Sequence, residues 1–262
     1  MGPVTLDRLR WGALAWVLTL QFFVVETVVQ LRGQGHSRVE DVISELGETS
    51  WPGHQTMNAS FVVQAALIVG GAVLLLPALS SAAGRAAAYL VGIAALGALL
   101  VGVFPADRSD VWHGTGAVLY LVGSAVGLIA LAYALRPRSE LLGTLLVLLG
   151  LVGAAATIFF IAEVDVLARG ATERAAAYVL PIGLAAAGIA LWRAGAAEGS
   201  ASPARREERA QARAAAAESA RRRDEALDAA ARRAEGRSVP ADTPGDGFDA
   251  EDPWAPARRS DQ

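Results

Sequence analysis

The chain has 262 residues, of which 53% are hydrophobic, a formal net charge of −3 and no cysteine. Without cysteine there is no disulfide framework, no thiolate nucleophile and no cysteine-based zinc or iron–sulfur centre. The mean hydropathy of +0.38 is gathered into long apolar runs, which excludes an ordinary soluble domain.

Those runs lie at 11–31, 59–79, 86–104, 111–135, 140–162 and 174–194. A helix needs about 20 apolar residues to cross a hydrocarbon core about 30 Å thick. Stretches such as "LIVGGAVLLLPAL" and "LLGTLLVLLGLVGAAATIFFIA" lack the polar stripe of a soluble helix. The expected fold is all-α: a polytopic membrane protein with a six-helix transmembrane bundle at 1–195. An Ala/Arg/Glu-rich solvated helix at 196–236 and a disordered tail at 237–262 follow. The first run begins after Arg8 and Arg10, as a signal peptide does. It leads into "VVQLRGQGH", not a small-residue cleavage site, so it reads as an uncleaved span.

In the first span, Glu26 and Gln30 share one face in the half nearer the 32–58 loop. A carboxylate there must snorkel to the interface or pair inward with arginine or histidine. In the loop that follows, "VEDVISELG" places Val39, Val42, Ile43 and Leu46 on one face, the pattern of a short interfacial helix. Asn58 is placed to cap the second span.

Phe104-Pro105 ends the third span, because proline lacks the donor a helix needs and disfavours helix in the residue before it. Asp110 is placed to cap the fourth span, and Trp112 falls at headgroup depth. His113 opens a face that continues through Gly116, Tyr120 and Ser124. A polar and small-residue face of this kind looks into a bundle, and Gly123 with Gly127 permits close helix contact. The opposite halves of the spans offer only scattered Gln21, Gln64, Ser124, Thr144 and Thr157, which argues against a continuous polar path.

Six spans put both termini on one side. Arg8, Arg10, Arg85, Arg136, Arg138 and Arg193 fall on that side, joined by Arg205, Arg206, Arg209 and Arg213 just after the last span. The opposite side holds Arg32, Arg38, Arg108, Arg169 and Arg174. The arginine bias places both termini in the cytoplasm of a multi-pass cell-membrane protein. All three histidines, His36, His54 and His113, then lie on the outer side.

Beyond residue 196, "SPARREERAQARAAAAESARRRDEALDAAARRAEG" opens with a Ser-Pro helix start and is rich in good helix formers. Its one large aliphatic, Leu227, cannot make a coiled-coil seam. The last stretch has the Pro, Gly and Asp content of disorder, with Trp254 as a candidate docking residue.

"ISELG" in the first outer loop, "NASFV" at the second span, "FP" closing the third and a histidine opening the fourth resemble a bacterial six-span family catalogued as domain of unknown function 998. The resemblance covers about residues 10–194. Its motif residues fall on Ser44, Glu45, Leu46, Gly47, Asn58, Phe61, Phe104, Pro105 and His113, with Glu173-Arg174 before the last span. It implies a cluster of polar residues on one membrane face and no established activity.

The residues able to carry chemistry are His113, Glu45, Ser44 and Asp107. Histidine with carboxylates suits a divalent metal ion, with His113, Glu45 and Asp107 as candidate ligands. The same set suits proton handling. No HExxH, GxSxG or phosphate-binding glycine loop is present, and no cofactor is expected beyond such a metal. Three classes of function stand. One is a structural or partner-binding bundle with a polar His/Glu/Asp cluster at its outer face. The second is an intramembrane enzyme acting on a lipid or envelope substrate at the outer leaflet. The third is a small-solute or proton-coupled transporter. The expected partners are the lipid bilayer and a membrane protein, with no nucleic acid, since Glu and Asp balance the arginines of the tail.

Overall fold

In the computed structural model, six helical segments are long and apolar enough to cross a membrane: Leu6–Gln30, His54–Ala78, Ala82–Val103, Asp110–Leu135, Glu140–Ile161 and Arg169–Glu198. The structure describes residues 5–164, 166–199 and 203–235. Among them there is no strand. The first span is two helices, α1 (Leu6–Leu18) and α2 (Gln21–Gln30). The next four are α3 (His54–Leu75), α4 (Ala82–Val103), α5 (Asp110–Leu135) and α6 (Glu140–Ile161). The last is again two, α7 (Arg169–Ala177) and α8 (Val179–Gly199).

Local chemistry sets the ends. Thr5, Ser81 and Ser139 each accept a hydrogen bond from the backbone N–H three residues on, filling donors that a helix start leaves free. Helix α4 stops at Val103, just before Phe104-Pro105. Small residues set the packing. A Cβ on Gly97 of α4 would strike the backbone of Tyr120 and Gly116 in α5, and one on Gly123 would meet Ala94. These two helices therefore touch backbone to backbone, the arrangement that drives helix association where lipid competes with apolar side chains. Large apolar side chains such as Val24, Leu141 and Leu148 are left on the outside, where hydrocarbon solvates them.

Both broken spans have a physical cause. Pro181 has no N–H to give to the Ala177 carbonyl. That carbonyl instead accepts from the Tyr120 hydroxyl at 3.0 Å. Neighbouring side chains re-satisfy freed backbone groups in this way inside a membrane. At the break in the first span, the Thr19 hydroxyl turns back onto the Trp16 carbonyl and also lies 3.5 Å from the Pro181 carbonyl. Beside it, Gln21 bonds Gln64 and the Ser60 carbonyl, each at 3.3 Å. Of the polar residues expected to be scattered, Gln21 and Gln64 are thus joined, with Ser60 beside them.

Residues 1–200 form one compact unit and 201–262 a second. Within the second, α9 (Pro203–Glu235) is a single helix whose described side chains are nearly all exposed. Arg222 and Glu218 pair across one of its turns at 2.5 Å. The expected disorder of 237–262 and the docking role of Trp254 fall outside the described residues.

A loop-face cavity as the candidate functional site

The connections 32–53 and 104–109, with residues 162–164 and 166–168, lie at one end of the bundle, here called the loop face. Glu26 is fully buried near it. Its Oε1 accepts from Arg174 Nε at 2.9 Å, and its Oε2 accepts from the Tyr178 hydroxyl at 2.6 Å. The Arg38 guanidinium lies 3.5 Å from Oε1 and donates to the Tyr178 oxygen at 2.7 Å. Of the two expectations for Glu26, inward pairing is the one observed. Arg174 does more than neutralise it. Its Nη1 donates to the carbonyls of Arg38 (2.8 Å), Asp41 (2.7 Å) and Gly170 (3.1 Å). The N–H groups of Gly170 and Ala171 reach the Glu40 and Val39 carbonyls at 3.1 and 2.8 Å. The start of the last span is therefore a clamp that grips the first loop by its backbone.

Held this way, the loop does not form the expected amphipathic helix. Only Ile43–Gly47, the "ISELG" stretch, is helical, as a short 3-10 turn. Ile43 and Leu46 are buried, but Val39 is exposed, because Arg174 and the start of α7 occupy the backbone of 38–41. The Ile43 N–H donates to Glu173 Oε2. Asn58 is not a cap: α3 starts earlier, at His54 behind Gly53, whose φ of 90° suits glycine. Asn58 instead donates from Nδ2 to the Gly47 carbonyl at 2.8 Å, fastening the turn from below.

The 104–113 hairpin is fixed to the same loop. Asp107 accepts from the Thr49 N–H at 3.0 Å and from the Thr49 hydroxyl. Those bonds, the hydroxyl's above all, hold the Asp107 carboxyl below its ordinary value. Asp110 is not a cap either. It is the first residue of α5, and Ser109 occupies the cap position without a side-chain bond. Trp112 is half exposed and stacks on Phe104 with centroids 5.9 Å apart. Glu48 lies beside this junction. Its carboxyl is pushed up by burial first, then by Asp107 and Glu45, and is eased by His113.

All three histidines bond carbonyls. His36 Nε2 reaches Val42 at 3.1 Å, His54 Nδ1 reaches Trp51 at 3.0 Å, and His113 Nδ1 reaches Phe104 at 2.9 Å. A carbonyl only accepts, so Nδ1 of His113 carries the hydrogen. Its Nε2 then keeps a lone pair in the neutral ring.

Below the "ISELG" turn lies a small cavity of about 40 Å³, partly open to solvent. Its walls are Phe22, Ile43, Phe61, Ala98, Val101, Ala117, Leu121 and Ala177, and its polar groups are Ser44, His113, Tyr120 and Glu173. Of the residues expected to carry chemistry, Ser44 and His113 line one cavity. Glu45 and Asp107 do not line it. They stand close enough to Glu48 to repel its charge. Among the described residues, no three His, Asp or Glu side chains are placed to hold a metal ion together. Tyr120 and Glu173 complete the polar lining. Tyr120 was legible on the face of His113. Glu173 was legible only as part of a motif, because nothing in its local sequence shows that it meets a loop 130 residues away.

Six apolar spans, an all-helical bundle and a polar cluster held at one membrane face define a polytopic membrane protein. The model of the family described as "Protein of unknown function (DUF998)" matches residues 16–190, and the chain belongs to that family. No curated protein and no solved structure matches the chain.

Proposed function

We propose that this protein is a binding bundle. Its loop-face cavity takes up a small amphipathic ligand, and the "ISELG" turn forms the roof. The observation that carries this reading is the cavity lining, with mostly apolar walls and a few convergent polar side chains. Binding sites for small molecules have that composition. The clamp supports it. Arg174, Glu26, Asn58 and Glu173 hold the roof from beneath and from the side, the kind of supporting shell that a precise site needs. Ser44 and His113 line the same cavity, yet no hydrogen bond joins them among the described residues. Binding therefore accounts for the arrangement with fewer assumptions than nucleophilic catalysis, which needs a nucleophile activated by its base. The arginine distribution supports an orientation with the loop face outside the cell membrane and both termini in the cytoplasm.

Native mass spectrometry tests the reading. The protein is released from nanodiscs made with its own host lipids, and small-molecule masses are compared with those from Ala117→Phe, which fills the cavity. A mass carried by the wild type and absent from the variant is expected. Equal masses on both proteins, or none on either, would contradict it.

A further inference from the structure

We infer that the ligand of this cavity is a protonated amine on a short apolar body. The inference rests on the binding reading above and goes further, to the chemical class of the ligand. The polar lining of the cavity is rich in acceptors. His113 has given its Nδ1 hydrogen to Phe104, so Nε2 accepts. Tyr120 has given its hydroxyl hydrogen to the Ala177 carbonyl, and its oxygen lies beside the Gln64 amide. Glu173 uses Oε2 on the Ile43 N–H, and among the described residues no hydrogen bond reaches its Oε1. The Ser44 hydroxyl adapts to either role. A ligand that matches this lining brings donors, and an ammonium brings three.

Charge points the same way. Glu45, Glu48 and Asp107 stand together outside the cavity, close enough to raise the Glu48 carboxyl. Of the nearby cations, Arg108 stands beside Asp107, and Arg174 and Arg38 are engaged elsewhere. Arg174 is bonded to Glu26 and to three carbonyls, and Arg38 faces Glu26 and Tyr178. A carboxylate cluster near low-dielectric walls draws cations and turns anions away. Phe22 and Phe61, 5.2 Å apart, supply the apolar surface for the body of the ligand.

The experiment uses a matched series with one chain and three heads: n-hexylamine, hexan-1-ol and hexanoate. Each is titrated calorimetrically into the full chain in nanodiscs, with empty nanodiscs as the blank. Hexylamine should bind about tenfold more tightly than hexanol, because charge-assisted hydrogen bonds are roughly twice as strong as neutral ones. Hexanoate should show no saturable binding. Glu173→Gln should weaken hexylamine by about tenfold while leaving hexanol within about twofold. Hexanol or hexanoate binding as tightly as hexylamine would overturn the amine assignment but leave the cavity as a binding site. So would Glu173→Gln binding hexylamine like the wild type. If none of the three binds saturably, the binding reading falls with it. The head-group comparison needs no variant, so it decides the question even if Glu173→Gln fails to fold.

Discussion

Arg174 Nε lies 2.9 Å from Glu26 Oε1, and both side chains are buried between the first and last spans. The pair joins the two ends of the bundle and, through Arg174 Nη1, carries the backbone of the first loop. Removing one partner of a buried pair leaves the other charge uncompensated, at a cost of about 3–5 kcal/mol. Arg174→Met should therefore lower thermal stability strongly and free the loop to proteases. Glu26→Leu combined with Arg174→Met should recover part of the stability but not the docked loop. Equal protease resistance in wild type and Arg174→Met would refute the clamp.

Asn58 and Gly47 form the second fastening. A Cβ at Gly47 would run into Asn58 Oδ1, so both residues are needed in their present form. Asn58→Leu leaves the Gly47 carbonyl unpaired, at a cost of about 1–3 kcal/mol. Faster amide exchange confined to residues 43–48 is expected, and unchanged exchange there would rule the fastening out.

These relationships separate what the sequence shows from what it hides. The six spans and the stop at Phe104-Pro105 were legible, because apolar length and a missing N–H act locally. His113 was placed at the loop-face end of the bundle because helical spacing put it on the face of Gly116 and Tyr120. The partner of Glu26 was not legible, since Arg174 is 148 residues away and only the folded bundle brings them together. Asn58 and Asp110 were misread as caps for the same reason. Each has a capping side chain near a helix start, but α3 begins four residues before Asn58, and α5 begins at Asp110 itself. The amphipathic pattern of "VEDVISELG" was genuine at Ile43 and Leu46, and was overridden at Val39 by the clamp.

The hairpin junction should respond to acid with a definite sign. Asp107 has a folded pKa below its ordinary 3.8, so its contribution is present above that value and is lost as pH falls through the folded one. Glu48 has a folded pKa above its ordinary 4.5. Its contribution is present below that value and is lost as pH rises through the folded one. Glu48→Gln should therefore raise the melting temperature at pH 7, with the gain disappearing below about pH 4. Asp107→Asn should bring the Glu48 titration, followed by carboxyl NMR, back toward the ordinary value. A Glu48 titration unchanged by Asp107→Asn would show that the two carboxyls do not interact.

Residues 203–235 hold one large aliphatic side chain, Leu227. Truncation after Ser200 should insert and melt within about a degree or two of the full chain, the shift expected of a change worth under about 0.5 kcal/mol. A loss of about ten degrees would mean that the tail packs on the bundle. Reporter fusions at residues 50 and 262 should report opposite sides of the membrane, as the arginine bias requires. The same side for both would reject the topology.

The central claim is that His113 presents a free Nε2 to a binding cavity, and ring-nitrogen NMR reads it directly. The chain has three histidines, so His113→Gln assigns the signal by its disappearance. In the full chain in nanodiscs at pH 8, His113 should be the Nδ1–H tautomer, and its Nε2 resonance should move saturably as n-hexylamine is added. A His113 ring protonated at Nε2, or an Nε2 signal that stays still through the titration, would contradict the account.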